Sequence, residues 1–269
     1  MGTDAAVAIL GGGKIGEALL AGLVRAGGPS DVVVSERYRE RADQLVETYG
    51  VQALSPDEAA ASARTLVVAV KPHDVDAVLE AVAPSVGPDH LVVSVAAGVT
   101  SAQLEAGLPD GVPVVRCMPN TPALLGEGMT ALAPGTRATS EHLDRAEAVL
   151  AAVGRVVRVD ESQLDAVTAL SGSGPAYFFL FAEAMIEAGV ALGLARPLAT
   201  ELVEQTALGS ATMLRDSGDD ATALRQAVSS PAGTTVAALR ELERHGLRAA
   251  VQAAAEAAAR RSAELGRAH

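Results

Sequence analysis

Two hydrophobic periods divide the chain near residue 160. Before it, short apolar runs alternate with segments whose apolar positions recur every three or four residues. The runs are AVAIL (6–10), DVVVS (31–35), TLVVAV (65–70), HLVVSVA (90–96) and VPVVRCM (112–118). Each has the length of a strand and is apolar almost throughout, as in strands covered on both faces of a parallel sheet. In EALLAGLVRA, Leu19, Leu20, Leu23 and Val24 share one helical face. GMTALAPG and RVVRVD predict edge strands, joined by a helix over Glu141–Val153. The pattern predicts an α/β domain over residues 1–160, a Rossmann-type doubly wound parallel sheet.

After Asp160 the strand pattern stops, and residues 161–269 predict an all-α domain. Helices are expected at about Ser162–Leu170, Pro175–Leu194, Pro197–Asp216, Ala221–Ala227, Thr235–Arg244 and Leu247–Leu265. Pro175 and Pro197 suit first-turn positions; Gly218, Gly246 and Gly266 suit helix stops. The second and last of these helices carry more apolar surface than one small bundle hides, so a homo-oligomer, at least a dimer, through this half is expected. Four of the six aromatic residues, Tyr177, Phe178, Phe179 and Phe181, open one helix, which reads as core or interface packing, with an aromatic pocket for a flat ligand as the alternative.

Composition narrows the function. Lys plus Arg is 21, Asp plus Glu is 33 and the net charge is −12, which argues against nucleic acid or an anionic membrane surface as partner. A small anion is still acceptable, because backbone N–H groups bind phosphate without net positive charge. The single cysteine, Cys117, allows neither an intrachain disulfide nor a cysteine-cluster metal site, and reads as a small buried apolar residue. The start MGTDAAVAIL has no basic leader pattern, and Ala6 stands where myristoylation prefers Ser or Thr. The longest apolar stretch, Ala176–Ile186, falls short of the roughly 20 residues that span a bilayer, so a cytoplasmic protein away from membranes is expected.

The clearest chemistry follows the first strand. In LGGGKIGEALL, Gly11, Gly13 and Gly16 fit G-x-G-x-x-G in the order strand, turn, helix. The first glycine permits the turn, the second lets backbone approach a pyrophosphate, and the third lets helix pack on strand. The helix start adds N–H groups and partial positive charge. Twenty residues past Gly16, the second strand ends Ser35-Glu36-Arg37. A carboxylate there favours a ribose 2′-hydroxyl and NAD(H); an arginine favours a 2′-phosphate and NADP(H). Both are present and point apart in an extended strand, so NADP(H) through Ser35 and Arg37 is expected, with NAD(H) as the alternative. The loops AVKPHDV (69–75) and SVAAGVT (94–100), also at strand ends, should line the nicotinamide crevice. CMPNTPAL (117–124) brackets Asn120 between prolines, which suits holding its amide against a cofactor.

A second unusual stretch, VSSPAGTT (228–235), lies between two predicted helices. One Ser or Thr satisfies a helix cap. Here there are four hydroxyls and a glycine, more than capping requires. The five histidines, His73, His90, His142, His245 and His269, show no catalytic or metal spacing, and no metal site is expected.

GGGKIGEALL, AVKP, AAGVT, MPNTPAL, LDAVTALSGSGPAY and VSSPAGTT, in that order and nearly end to end, resemble the pyrroline-5-carboxylate reductase family. The resemblance implies a Rossmann domain with a helical dimerisation domain, dimers that often assemble to decamers, and reduction of 1-pyrroline-5-carboxylate to L-proline with NADPH or NADH. It implies that Leu10, Gly11, Gly12, Gly13, Lys14 and Ile15 wrap the pyrophosphate, with Ser35 and Arg37 at the adenosine ribose. It places Ala69, Val70, Lys71, Pro72, Ala96 and Ala97 along the rest of the cofactor. Glu161 would lie near the product region, and Thr234 and Thr235 would touch substrate. The family usually reads Pro-Gly-Gly where this chain has Pro231-Ala232-Gly233, so that loop must tolerate a Cβ. Some members carry asparagine around position 57 against the ribose; Asp57 stands here.

The substrate that the resemblance implies carries a carboxylate beside a ring nitrogen. Ser230, Gly233 and Thr234 N–H groups would hold the carboxylate, and the Thr235 hydroxyl would reach the nitrogen and serve as the catalytic group. Two other readings share the architecture. A β-hydroxyacid dehydrogenase would carry Lys and, four residues on, Asn in the helix after SGSG, where Phe178 and Ala182 stand. A non-catalytic dinucleotide sensor would have no use for Ser229–Thr235.

Overall fold

The computed structural model describes residues 5–267; the Met1-Gly2 start and His269 lie outside the described residues. By contacts the chain divides into two compact units, 5–173 with 257–267, and 174–256. The expected boundary at 160/161 follows the change in composition. Residues 161–173 nevertheless pack with the strands, Leu164 joining Ala131 and Ala133 in a small buried cluster.

The first unit is built on one sheet. Its strands are β1 (Ala5–Leu10), β2 (Val32–Ser35), β3 (Gln52–Ala53), β4 (Ala63–Val68), β5 (Leu91–Ser94), β6 (Val114–Met118), β7 (Gly128–Pro134) and β8 (Gly154–Arg158). Their spatial order is β3-β2-β1-β4-β5-β6-β7-β8. All neighbours are parallel except β6 and β7. That reversal was not foreseen. The chain from Met118 to Gly128 is too short for a crossover of a dozen or more residues, so it turns back on its neighbour instead. The two-residue β3 was not foreseen either, because its residues are exposed and leave no apolar run.

The helices of this unit are α1 (Lys14–Gly27), α2 (Arg39–Tyr49), α3 (Pro56–Ser62), α4 (Val75–Val82), α5 (Ser101–Ala106), α6 (Ser140–Leu150) and α7 (Leu164–Val167). They cover both faces of the sheet. β1 sends Ala8 and Leu10 to the face packed by α3, α4 and α5, and Val7 and Ile9 to the face packed by α1, α2 and α6. Each fully buried aliphatic side chain contributes about 1.5–3 kcal/mol, which makes this double-faced core the main source of stability. Cys117 is buried on β6, and burial pushes its thiol pKa up, so it behaves as a small apolar filler.

The helix expected over Ser162–Leu170 is three local geometries in sequence. A 3-10 turn at Glu161–Gln163 leads into α7, which widens into a π-helical turn at Thr168–Gly172. The Ser173 N–H closes that turn on the Thr168 carbonyl at 2.8 Å. Single π turns of this kind concentrate at functional sites.

The second unit holds α8 (Gly174–Ala191), α9 (Arg196–Asp216), α10 (Ala221–Ala227) and α11 (Thr234–Arg244). The final helix, α12 (Leu247–Arg267), begins here and ends in the first unit, where Ser262 Oγ donates to Asp165 at 2.7 Å. Gly189 lets α8 approach Ala199 of α9 closely, since a Cβ there would meet the alanine Cβ at 3.0 Å. In the single chain α8 exposes Phe178, Phe179, Leu180 and Phe181, an apolar surface of the kind that marks a subunit contact. Among the described residues, no helix is long and apolar enough to cross a membrane.

Candidate active site

The sheet register determines where the glycine-rich turn lies. β1 pairs with β2 on one side and β4 on the other, Leu10 standing opposite both Ser35 and Val68. Gly11 therefore leaves the sheet between two strand ends. Its N–H donates to the Ser35 carbonyl at 2.8 Å, and the Ala69 N–H donates to the Leu10 carbonyl at 2.8 Å. Gly11 has φ +110°, and a Cβ there would meet the Ala69 carbonyl oxygen at 2.8 Å, so only glycine fits. At Gly16 a Cβ would overlap the Gly11 carbonyl oxygen, which accounts for the third glycine as the point of helix–strand contact.

Gly12 is held from two sides. Its N–H donates to Glu36 Oε2 at 2.8 Å, and its carbonyl accepts from Arg41 Nε at 3.0 Å. Arg41 is paired with Glu17, which also accepts from the Tyr49 hydroxyl at 3.1 Å. Gly13 caps α1 without a side-chain hydrogen bond. Among the described residues the N–H groups of Gly13, Lys14 and Ile15 have no hydrogen-bond partner, as at any uncapped helix start. A dinucleotide pyrophosphate fits this cradle: donors without partners, a positive helix end, and no side chain at Gly13 to block approach.

The other residues expected at the cofactor share this edge. Ser35 is buried at the end of β2; Arg37 lies just beyond it and is exposed. Glu36 turns away from Arg37, since its second oxygen accepts from the Tyr38 N–H at 2.9 Å. Ala69, Val70, Lys71 and Pro72 follow β4, and Ala96 and Ala97 follow β5. Asp57 stands exposed in the first turn of α3, its carboxyl held below the usual range chiefly by the Ser55 hydroxyl. Asn120, at the end of β6, uses its amide on the protein itself. Its Oδ1 accepts from the Met129 N–H at 2.8 Å, and its Nδ2 donates to the Ser171 carbonyl at 3.1 Å. The side chain thus ties the start of β7 to the π-helical turn. Sequence reasoning placed the residue at the site but missed this task.

Glu161 is similarly committed. It accepts from the Ser101 N–H at 2.8 Å, from the Ser101 hydroxyl, and from Arg116 Nη1 at 3.0 Å. Burial pushes its pKa up, but Ser101 and Arg116 outweigh that and hold the carboxyl below its ordinary value. It joins α5, β6 and the 3-10 turn before α7.

In the second unit, VSSPAGTT links α10 to α11. The Gly233 N–H closes the loop on the Ser230 carbonyl at 3.0 Å, so it is already engaged rather than free to hold an anion. A Cβ on Gly233 would overlap the Ser230 hydroxyl. Ala232 adopts φ +60°, the one non-glycine with positive φ among the described residues. Ser229 Oγ donates to the Arg225 carbonyl at 2.6 Å, which closes off α10. α11 has Gly233 as its N-cap and no side-chain cap. Among the described residues the hydroxyls of Ser230, Thr234 and Thr235 have no hydrogen-bond partner, and neither have the Thr234 and Thr235 N–H groups. Helix capping therefore does not account for them.

Residues 161–265 match the family model described as pyrroline-5-carboxylate reductase dimerisation, so the helical half carries that family's dimerisation region. Residues 6–98 match the model described as NADP oxidoreductase, coenzyme F420-dependent. A pyrroline-5-carboxylate reductase of Mycobacterium tuberculosis (strain ATCC 25618 / H37Rv) is 51% identical, with 97% of each chain covered. A solved pyrroline-5-carboxylate reductase from Coxiella burnetii superposes with a TM-score of 0.92 at 37% identity, covering 97% of this chain and 98% of that one. The Plasmodium falciparum pyrroline carboxylate reductase, solved with NADP bound, gives a TM-score of 0.86 at 30% identity over 98% of this chain and 99% of that one. On identity and coverage of this order, the chain belongs to the pyrroline-5-carboxylate reductase family.

Proposed function

We propose that the chain is a cytoplasmic NAD(P)H-dependent reductase that converts 1-pyrroline-5-carboxylate to L-proline. Residues 1–160 serve as its dinucleotide-binding part, and 161–269 as its substrate-binding and oligomerising part. The observation that carries the substrate half is the start of α11, where hydroxyls and N–H groups stand unspent on an uncapped helix end.

The cofactor supplies a hydride when bound. The chain's contribution to holding it is the Gly13, Lys14 and Ile15 N–H groups at the pyrophosphate, with Ser35 and Arg37 at the adenosine ribose. Ala69–Pro72 and Ala96–Ala97 line the remainder. Asn120 acts behind this surface by bracing the β6–β7 loop.

At the substrate, the Thr234 and Thr235 N–H groups bind the carboxylate. Hydrogen bonds to a charged group are worth about 1.5–3 kcal/mol each, enough to orient a small ring. The Thr235 hydroxyl lies in the first turn of the same helix and binds the ring nitrogen. When the imine carbon accepts hydride, the C=N π pair moves onto nitrogen, and the nitrogen leaves the step carrying its proton as a secondary amine. A protonated imine is already electrophilic, so the protein needs no strong acid. Positioning supplies much of the rate, with effective molarities that reach about 10⁵ M or more. Glu161 supports the product region through Ser101 and Arg116.

The test mixes pyrroline-5-carboxylate with the enzyme and NADPH or NADH and follows loss of the reduced cofactor. Thr235→Ala should lower kcat/KM by about 10- to 10³-fold, the range for one positioned donor. Wild-type kcat/KM in that variant would remove the role assigned to Thr235.

A further inference from the structure

The adenosine end of the cofactor edge contains an ion pair that the binding reading leaves unused. Arg37 follows β2, and its Nη1 donates to Asp74 Oδ1 at 3.2 Å. Asp74 ends the 3-10 turn Pro72–Asp74 after β4. Since β2 and β4 lie on opposite sides of β1, the pair passes over the end of β1, where the glycine-rich turn begins. Arg37 Nη2 donates to the Tyr38 hydroxyl at 2.9 Å, and its guanidinium lies 5.0 Å from the centre of the Tyr38 ring. The guanidinium is thus oriented, exposed on its outer side, and already holding a carboxylate.

We propose that Asp74 is a specificity-determining residue that competes with the cofactor's 2′-phosphate for Arg37. This rests on the reading of Arg37 as the 2′-phosphate contact. A 2′-hydroxyl asks nothing of Arg37, so NAD(H) binds with the pair intact. A 2′-phosphate must take Arg37 from Asp74, and it then sits near a carboxylate of its own sign. Asp74 therefore handicaps NADP(H) selectively and draws the two cofactors closer in affinity.

Other duties do not explain the carboxylate. Asp74 stands at the N-cap of α4, yet its side chain makes no capping hydrogen bond. Its backbone N–H closes the 3-10 turn on the Lys71 carbonyl at 2.9 Å, a bond that any residue at this position makes. Its second oxygen lies 3.4 Å from His73 Nε2, on the exposed side of the turn. The side chain of Asp74 is 28% exposed against 67% for Arg37, so the arginine is the partner an incoming anion reaches first. Glu36, the other acid at this end, is turned onto Gly12 and Tyr38 and does not share Arg37.

The test is calorimetric titration of the full-length protein with NADP⁺, NAD⁺ and adenosine 2′,5′-bisphosphate, in the wild type and in Asp74→Asn, Asp74→Glu and Arg37→Ala. Asp74→Asn should bind NADP⁺ and the bisphosphate about three- to tenfold tighter, the scale of releasing an exposed ion pair and one like charge, with NAD⁺ changed less than about twofold. Asp74→Glu, which keeps the carboxylate, should return the ratio of the two affinities toward the wild-type value. A weaker NADP⁺ in Asp74→Asn would mean that Asp74 holds Arg37 ready for the phosphate, and would overturn the competition. An equal shift for both cofactors, or none, would overturn it too. Arg37→Ala separates the two levels of failure. If it weakens NADP⁺ no more than NAD⁺, the 2′-phosphate lies elsewhere and both readings fall; if it selectively weakens NADP⁺ while Asp74→Asn is silent, only the competition falls.

Discussion

Ala232→Gly should stabilise the protein, although the same substitution in a helix weakens it. Ala232 has φ +60° in the loop that precedes α11. A Cβ in the left-handed region crowds the following carbonyl oxygen, at a cost of about 1–2 kcal/mol. Glycine removes that crowding but gives the unfolded chain more freedom, which offsets about 0.4–1 kcal/mol. The net gain is about 0.5–1 kcal/mol, or a rise of roughly 1–4 °C in Tm for a chain of this size. Thermal unfolding followed by circular dichroism, at fixed protein concentration so that the oligomer contributes equally, reads this shift. Ala238→Gly is the control, because Ala238 lies inside α11, where glycine costs about 1 kcal/mol. One exchange of side chain should thus move the midpoint in opposite directions six residues apart. If both variants melt lower by similar amounts, Ala232 is not held left-handed and the account of the loop is wrong.

Two further predictions concern the first unit. Glu161→Gln should lower stability by about 1–3 kcal/mol at neutral pH by weakening the contacts to Ser101 and Arg116, and the loss should shrink in acid. The sign follows from the lowered pKa: the contribution is present above the ordinary value of 4.5 and disappears as pH falls through the lower folded value. Denaturant titrations at pH 7 and pH 3.5 check this, and an equal deficit at both would contradict it. Asn120→Ala should cost about 1–3 kcal/mol, since the Met129 N–H loses its acceptor, and should weaken binding of both nicotinamide cofactors alike. Calorimetry that found cofactor binding unchanged, or only one cofactor affected, would contradict this.

The repeating parts of the fold were legible because burial writes them directly into the sequence. β1, β4 and β6 are apolar runs covered on both sides, and each nearly coincides with the strand expected from its residues. Glycines with steric duties were legible for a related reason: the turn after β1 needs Gly11 and Gly16 wherever it occurs. Relations between distant segments were not. The antiparallel setting of β7 depends on the length of the preceding loop, and the boundary after Ser173 depends on what Leu164 packs against. The Arg37–Asp74 pair joins residues 37 positions apart, and neither residue type announces the other. Asn120 shows the intermediate case. Its two flanking prolines mark a rigid loop, but the amide's partners, Met129 and Ser171, come together only in the folded chain.

The double hold on Gly12 has a consequence for how the enzyme meets its cofactor. With its N–H on Glu36 and its carbonyl on Arg41, the phosphate turn has surrendered its freedom before any ligand arrives. Association then forfeits little backbone entropy at the pyrophosphate. Half of the restraint comes from Arg41 of α2, a helix behind the phosphate turn, so a change at Arg41 would register as looser nucleotide affinity.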